Sequence, residues 1–199
     1  MRTFTVFLII AALLFSVSCR KTEKQESGTE DVRGGSVQTV PVSFVSNTAY
    51  ANWTGEPGIY EESLNRPDPE EGYAAVPVYV FTDREELVRF RDMFSGVLSM
   101  NYGYDEIPSF EEATSSYGDE FFEERSLILA YVTSGSGTFR YDVKDITVTG
   151  PDLLMTVIRT NDPEAYTEDM AGWYIMAEVA KQDIEDCTGF DACVLIGEG

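Results

Sequence analysis

An α+β fold, an antiparallel β-meander of four to six strands with two helices packed on it, is what the sequence predicts. Three observations carry that prediction. From Ser126 onward, short stretches alternate apolar and polar side chains at the period of a strand and are separated by turn residues. Before them, two stretches open on capping pairs and continue at helical spacing. The 43% apolar and 13% aromatic content supplies enough material for one core, in a single globular domain spanning 40–199 whose β-rich part is 126–199.

Taken in order, "VPVSFVS" from Val40 offers the first strand. Residues 47–75 are aromatic and acidic, with Pro57, Pro67 and Pro69, and read as an ordered but irregular surface segment. Val76, Val78 and Val80 then alternate with Pro77, Tyr79 and Phe81 as a strand. Thr82 and Glu85 make a capping-box pattern, Leu87, Phe90, Met93 and Phe94 follow at helical spacing, and Gly96 stops the helix. A second helix is expected over 109–124, capped by Ser109 and Glu112, interrupted at Gly118, and pinned to the core by Phe121 and Phe122.

"SLILAYVTS" is a nearly continuous apolar run, the pattern of a central strand covered on both faces. "TSGSGTF" reads as a hairpin turn leading into "TFRYDVKDITVTG", whose phase change around Asp145 predicts a bulge. Gly150, Pro151 and Asp152 turn the chain into "LLMTVIRT". In "TEDMAGWYIMAEVAK", Trp173, Ile175, Ala177 and Val179 fall on one face, with Tyr174, Met176, Glu178 and Ala180 on the other. "ACVLIG" adds a short closing strand.

The amino terminus speaks to location. "MRTFTVFLIIAALLFSVSC" places Arg2 before an apolar run and small residues before Cys19, too short for a comfortable membrane span. It resembles a bacterial lipoprotein signal, with residues 1–18 removed and Cys19 carrying lipid, although Ser16 stands where such signals prefer an aliphatic residue. Residues 19–39, rich in charge, Ser, Thr and Gly, then form a flexible tether that holds the domain off the membrane. The expected location is the outer side of a bacterial membrane, facing the periplasm or the exterior.

Export bears on Cys187 and Cys193 in "DCTGFDAC", where a structural disulfide and two free thiols are the competing readings. The Cys-x-x-Cys spacing of redox pairs is absent.

Charge and composition exclude whole classes of chemistry. With 35 acidic against 14 basic residues the net charge is −21, which repels nucleic acid and anionic lipid. The chain has no histidine, so Ser-His-Asp and Cys-His hydrolase sites, imidazole zinc sites and facial-triad iron are ruled out. Carboxylate-only catalysis survives, as in a glycan hydrolase using two facing acids. Calcium held by "RPDPEEGY" or "YGDEFFEE" also survives, although neither has the ligand spacing of a calcium loop. No metal site and no cofactor is expected.

Four residues are candidates for ligand or partner contact: Asp169, Trp173, Ser134 and Ser136. Asp169 and Trp173 have a structural reading, a turn feeding a core strand, that competes with contact. Ser134 and Ser136 flank glycine as an anion-cradling loop does, but no helix and no lysine follow at phosphate-loop spacing.

The paired aromatics Phe121 and Phe122, the Ser134-Gly135-Ser136 turn, Val143 and Ile146 on an alternating strand, and Trp173 with Val179 on a closing strand together form a pattern. Over residues 118–181 it resembles a family of bacterial exported proteins related to the C-terminal domain of the protease-complex subunit PrcB. The resemblance implies a small, β-rich, non-catalytic envelope module, in that case supporting a protease, and it brings no catalytic residues. The expected function is therefore a protein-binding or protease-complex accessory lipoprotein. A carboxylate-based glycan hydrolase and a small-ligand or calcium-binding protein are the rivals.

Overall fold

The alternation read from Trp173 to Val179 organises the molecule. In a computed structural model that describes residues 38–52, 73–165 and 167–195, this stretch is the long strand β8 (Ala171–Ala180), and every side chain from Ala171 to Ala177 is buried. Trp173, Ile175, Ala177 and Val179 enter a core between two sheets. Tyr174 and Met176 enter a second core, between the same strand and the helices. A strand apolar on both faces must be covered on both, and each large side chain so buried contributes roughly 1.5–3 kcal/mol. The expectations for the signal segment, Cys19 and the tether fall on residues outside those described, as does most of "RPDPEEGY".

Among the described residues, nine strands make two sheets. In chain order they are β1 (Thr39–Pro41), β2 (Phe44–Tyr50), β3 (Tyr73–Val76), β4 (Val78–Phe81), β5 (Arg125–Ser134), β6 (Tyr141–Thr149), β7 (Asp152–Arg159), β8 and β9 (Gly189–Leu195). The five-stranded sheet runs β1-β6-β7-β9-β3 and the four-stranded sheet β2-β8-β5-β4. All pairings are antiparallel except β7 with β9. The α+β class holds. Its strands lie in two mostly antiparallel sheets, one of five strands and one of four among the described residues, and sheet neighbours are not always consecutive in the chain.

The two sheets share their corners. The stretch of β1 and β2 lies at the edge of one sheet and then the other, switching at Val42, whose N–H donates to the Ile146 carbonyl. The stretch of β3 and β4 does the same on the opposite side, broken at Pro77, which has no N–H to give a ladder. Strands that switch sheets close a sandwich into a flattened barrel and leave little open edge for strand addition.

Three helices cover the four-stranded sheet: α1 (Arg84–Phe94), α2 (Phe110–Ala113) and α3 (Asp119–Glu124). The cap of α1 is one residue later than the sequence suggests. Asp83 accepts from the Glu86 N–H at 2.8 Å, and the Glu86 carboxylate takes the Thr82 N–H in return. Ser109 caps α2 through the Glu112 N–H, as expected, and Gly118 separates α2 from α3. Leu87, Phe90, Phe110 and Phe122 are the buried helical anchors.

The bulge falls between Val143 and Asp145, and Thr149 pairs with Asp152 around Gly150, whose φ of 62° is left-handed. The 135–140 connection corrects an expectation: β5 and β6 belong to different sheets, so "TSGSGTF" is an arch between layers, not a hairpin.

Candidate functional site

The arch is built from its own hydroxyls. Ser134 Oγ donates to the Ser136 carbonyl at 2.9 Å and accepts the Tyr141 hydroxyl at 3.3 Å. Ser136 Oγ accepts the Thr138 N–H and shares hydrogen bonds with Thr138 Oγ1 at 2.8 Å and Thr167 Oγ1 at 3.1 Å. Asp169 Oδ1 accepts the Gly137 N–H at 3.2 Å. Asn161 completes the tie, accepting the Arg140 N–H at 2.7 Å and donating to the Thr138 carbonyl at 2.8 Å. A buried arch needs such partners for its backbone, and the connection from β7 to β8 supplies them.

Arg140 leaves the arch and lies over aromatic rings. Its guanidinium carbon is 5.2 Å from the centre of the Trp173 ring and 5.8 Å from that of Tyr104. It donates to the carbonyls of Gly137 and Phe139 and pairs with Asp105 at 3.7 Å. Tyr50 packs against Tyr104 and Trp173, with ring centres 5.1 and 5.5 Å away. The Trp173 indole N–H is buried without a hydrogen-bonding oxygen. Tyr50 and Tyr104 meet the indole edge to face, at 66° and 89°.

The loop from Tyr102 to Ile107 contributes to two concave surfaces. One is a groove of about 410 Å³ lined by Tyr50, Leu98, Met100, Tyr102 and Glu111 among others. The other is a cleft of about 560 Å³ formed by Asp105, Glu106, Ile107 and Arg140. Asp105 sits at φ 51°, a left-handed conformation that aspartate tolerates in tight turns. The first groove's lining includes an exposed aromatic ring, Tyr102, 71% accessible.

Electrostatics follow burial here. The Tyr50 phenol is raised above its ordinary range by burial first, then by Tyr104, Asp169 and Tyr102. The Asp169 carboxyl is lowered, first by its hydrogen bond with Thr167 and then by the Gly137 N–H.

The four candidate contact residues thus converge on one end of the barrel, but in different roles. Ser134, Ser136 and Trp173 are buried and hold the arch, and Asp169 is exposed. Sequence reasoning missed Arg140, Tyr104, Tyr50 and Asn161. The only signal was Arg140 following the Ser-Gly-Ser turn, because nothing local says which rings a long side chain will reach.

The cysteines are apart in role as well. Both are free thiols: Cys187 packs against the inter-sheet core, whereas Cys193, between inward-facing Ala192 and Val194, lies on the outer face beside Thr156. The two side chains lie on different faces and are not joined to each other in the structure. Burial raises both thiols above their ordinary range.

Asp105 and Glu106 share a cleft but are neighbours in one turn, and the cleft's cation is Arg140. Among the described residues no three Cys, Asp or Glu side chains lie together as a metal-binding group, and no helix is long and apolar enough to cross a membrane.

No family model matches the chain, and no curated protein or solved structure matches it. The likeness to the PrcB-related family rests on the residue pattern alone.

Proposed function

We propose that the protein is a non-catalytic lipoprotein of a bacterial envelope, anchored through lipid on Cys19, whose domain binds another envelope protein. The partner class suggested by the PrcB-like pattern over 118–181 is a protease complex, in which this chain is an accessory.

One observation supports the binding reading most. The loop end presents exposed Tyr102 at a groove floored by Leu98 and Met100. An exposed aromatic side chain at a preformed concavity with an apolar floor is the composition of a protein-binding patch. The hydroxyls of Ser134 and Ser136 are spent on the arch, which makes nucleophilic chemistry there a poor alternative.

The test is purification of the full chain from detergent-solubilised envelope, with mass spectrometry of the amino terminus and of co-purifying proteins. A diacylated or triacylated Cys19 and a partner that is lost with Tyr102→Ala are the expected results. An unacylated chain retaining residues 1–18, or a partner indifferent to Tyr102, overturns the proposal.

A further inference from the structure

We infer that the groove beside Tyr102 receives a lysine- or arginine-bearing segment of the partner, with the cation seated against Tyr102 and near Glu111. The inference rests on the binding reading above and adds the chemistry of what is bound.

The molecule shows how this end holds a cation. In the cleft lined by Asp105, Glu106 and Ile107, Arg140 lies over Tyr104 and Trp173 with Asp105 as its counter-charge. The groove repeats those ingredients: an exposed aromatic ring from Tyr102, a carboxylate from Glu111, and an apolar floor from Leu98 and Met100. Among its described lining residues there is no cation. Tyr50 stacks on Tyr104, so the two arrangements share one aromatic array.

Charge points the same way. Exposed Glu111 lines the groove and exposed Glu106 the cleft, exposed Asp169 acts on the Tyr50 phenol with Glu168 its exposed neighbour in sequence, and the cationic side chain lining the cleft, Arg140, is turned onto rings and paired. A cation over a tyrosine face gains most where part of its water is removed, as at the wall of a groove. The surrounding carboxylates steer a basic segment toward it and reject an acidic one. An acidic peptide would meet like charge on every side, and a purely apolar one would leave Glu111 facing it.

Two fluorescent peptides serve as probes, one of alternating lysine and glycine with a central phenylalanine, the other with glutamate in place of lysine. Binding is measured by anisotropy to the full chain at low and high salt. The lysine peptide is expected to bind, the glutamate peptide to fail, and added salt to weaken the complex. Tyr102→Ala is expected to weaken binding about tenfold, the effect of removing one aromatic anchor. The triple change Glu106→Gln, Glu111→Gln, Glu168→Gln should do at least as much.

A matched loss of charge on α3, Glu120→Gln, Glu123→Gln, Glu124→Gln, controls for the net charge of −21. Equal weakening by the α3 triple, or equal binding of both peptides, would overturn the inference. A photo-cross-linker at position 102 separates this failure from that of the binding reading. A captured partner segment that is acidic or uncharged refutes the cation while leaving a protein-binding surface in place.

Discussion

The Arg140 guanidinium carbon lies 5.2 Å from the centre of the Trp173 ring, so a cation caps the most buried aromatic of the inter-sheet core. The same side chain closes the arch onto itself by donating to the carbonyls of Gly137 and Phe139. Arg140→Ala leaves both carbonyls short of a donor and removes the contact with the rings. The expected loss is about 2 kcal/mol, read from urea unfolding midpoints. Asp105→Ala, which removes only an exposed partner, should cost less than about 0.5 kcal/mol. Equal midpoints for Arg140→Ala and the wild type would show that the arch does not depend on this residue.

Gly172 tests the pairing of the end of β2 with the start of β8. A Cβ there would run into the Ala51 carbonyl oxygen, which is backbone and cannot swing aside. The Ala51 N–H already donates to the Gly172 carbonyl at 2.8 Å, so the two strands are locked at this point. Gly172→Ala is expected to destabilise by about 3 kcal/mol or to prevent folding. At Gly96 a Cβ meets nothing within 4 Å, and Gly96→Ala should change stability by less than about 1 kcal/mol. Thermal melts of the two variants make the comparison.

Alkali should unfold the protein in a defined window. The Tyr117 phenol is pushed up to about 12 from 10.0, by burial above all and further by Glu178, although a hydrogen bond from Asn47 works the other way. Burial raises Tyr174 and Tyr79 as well. A folded-state pKa above the unfolded one means that the fold favours the neutral phenol. Stability is therefore intact below pH 10 and is lost as pH rises toward and through 12. Tyrosinate absorbance should show a class of phenols that ionises only as the circular dichroism signal collapses. Free titration of every tyrosine in the folded protein would contradict the burial assigned to them.

The arch hydroxyls give a prediction that separates structure from chemistry. Ser136→Ala removes the acceptor of the Thr138 N–H and the links to Thr138 and Thr167, at an expected cost of about 1–2 kcal/mol. Partner binding by the folded fraction should be unchanged, because Ser136 has no exposed surface. Loss of binding in a variant shown by melting to be folded would make Ser136 a contact residue after all.

Local pattern was enough for what depends on neighbours in sequence. The two faces of β8, the bulge after Val143, the turn at Gly150 and the Ser109 cap are all set within a few residues. The α1 cap was displaced because Asp83 competes with Thr82 for the same role and prevails, its carboxylate taking the Glu86 N–H while Thr82 gives its own to Glu86. What depended on distant partners was not legible. The switching of sheets at Val42 and Pro77, and hence the arch in place of a hairpin, follows from strands pairing across the whole domain. The site divides in the same way: Asp169, Ser134, Ser136 and Trp173 stood out as residues, but Arg140 and its rings came together only through the fold.

The most direct measurement places a photo-cross-linking amino acid at position 102 or at position 154 in the full chain expressed in its own envelope. Leu154, 40% exposed on the outer face of the five-stranded sheet, serves as the apolar control. A discrete protein adduct from position 102 that is missing from position 154 is the predicted result. No adduct at 102, or the same adducts from both positions, would contradict a partner-binding surface at the Tyr102 end.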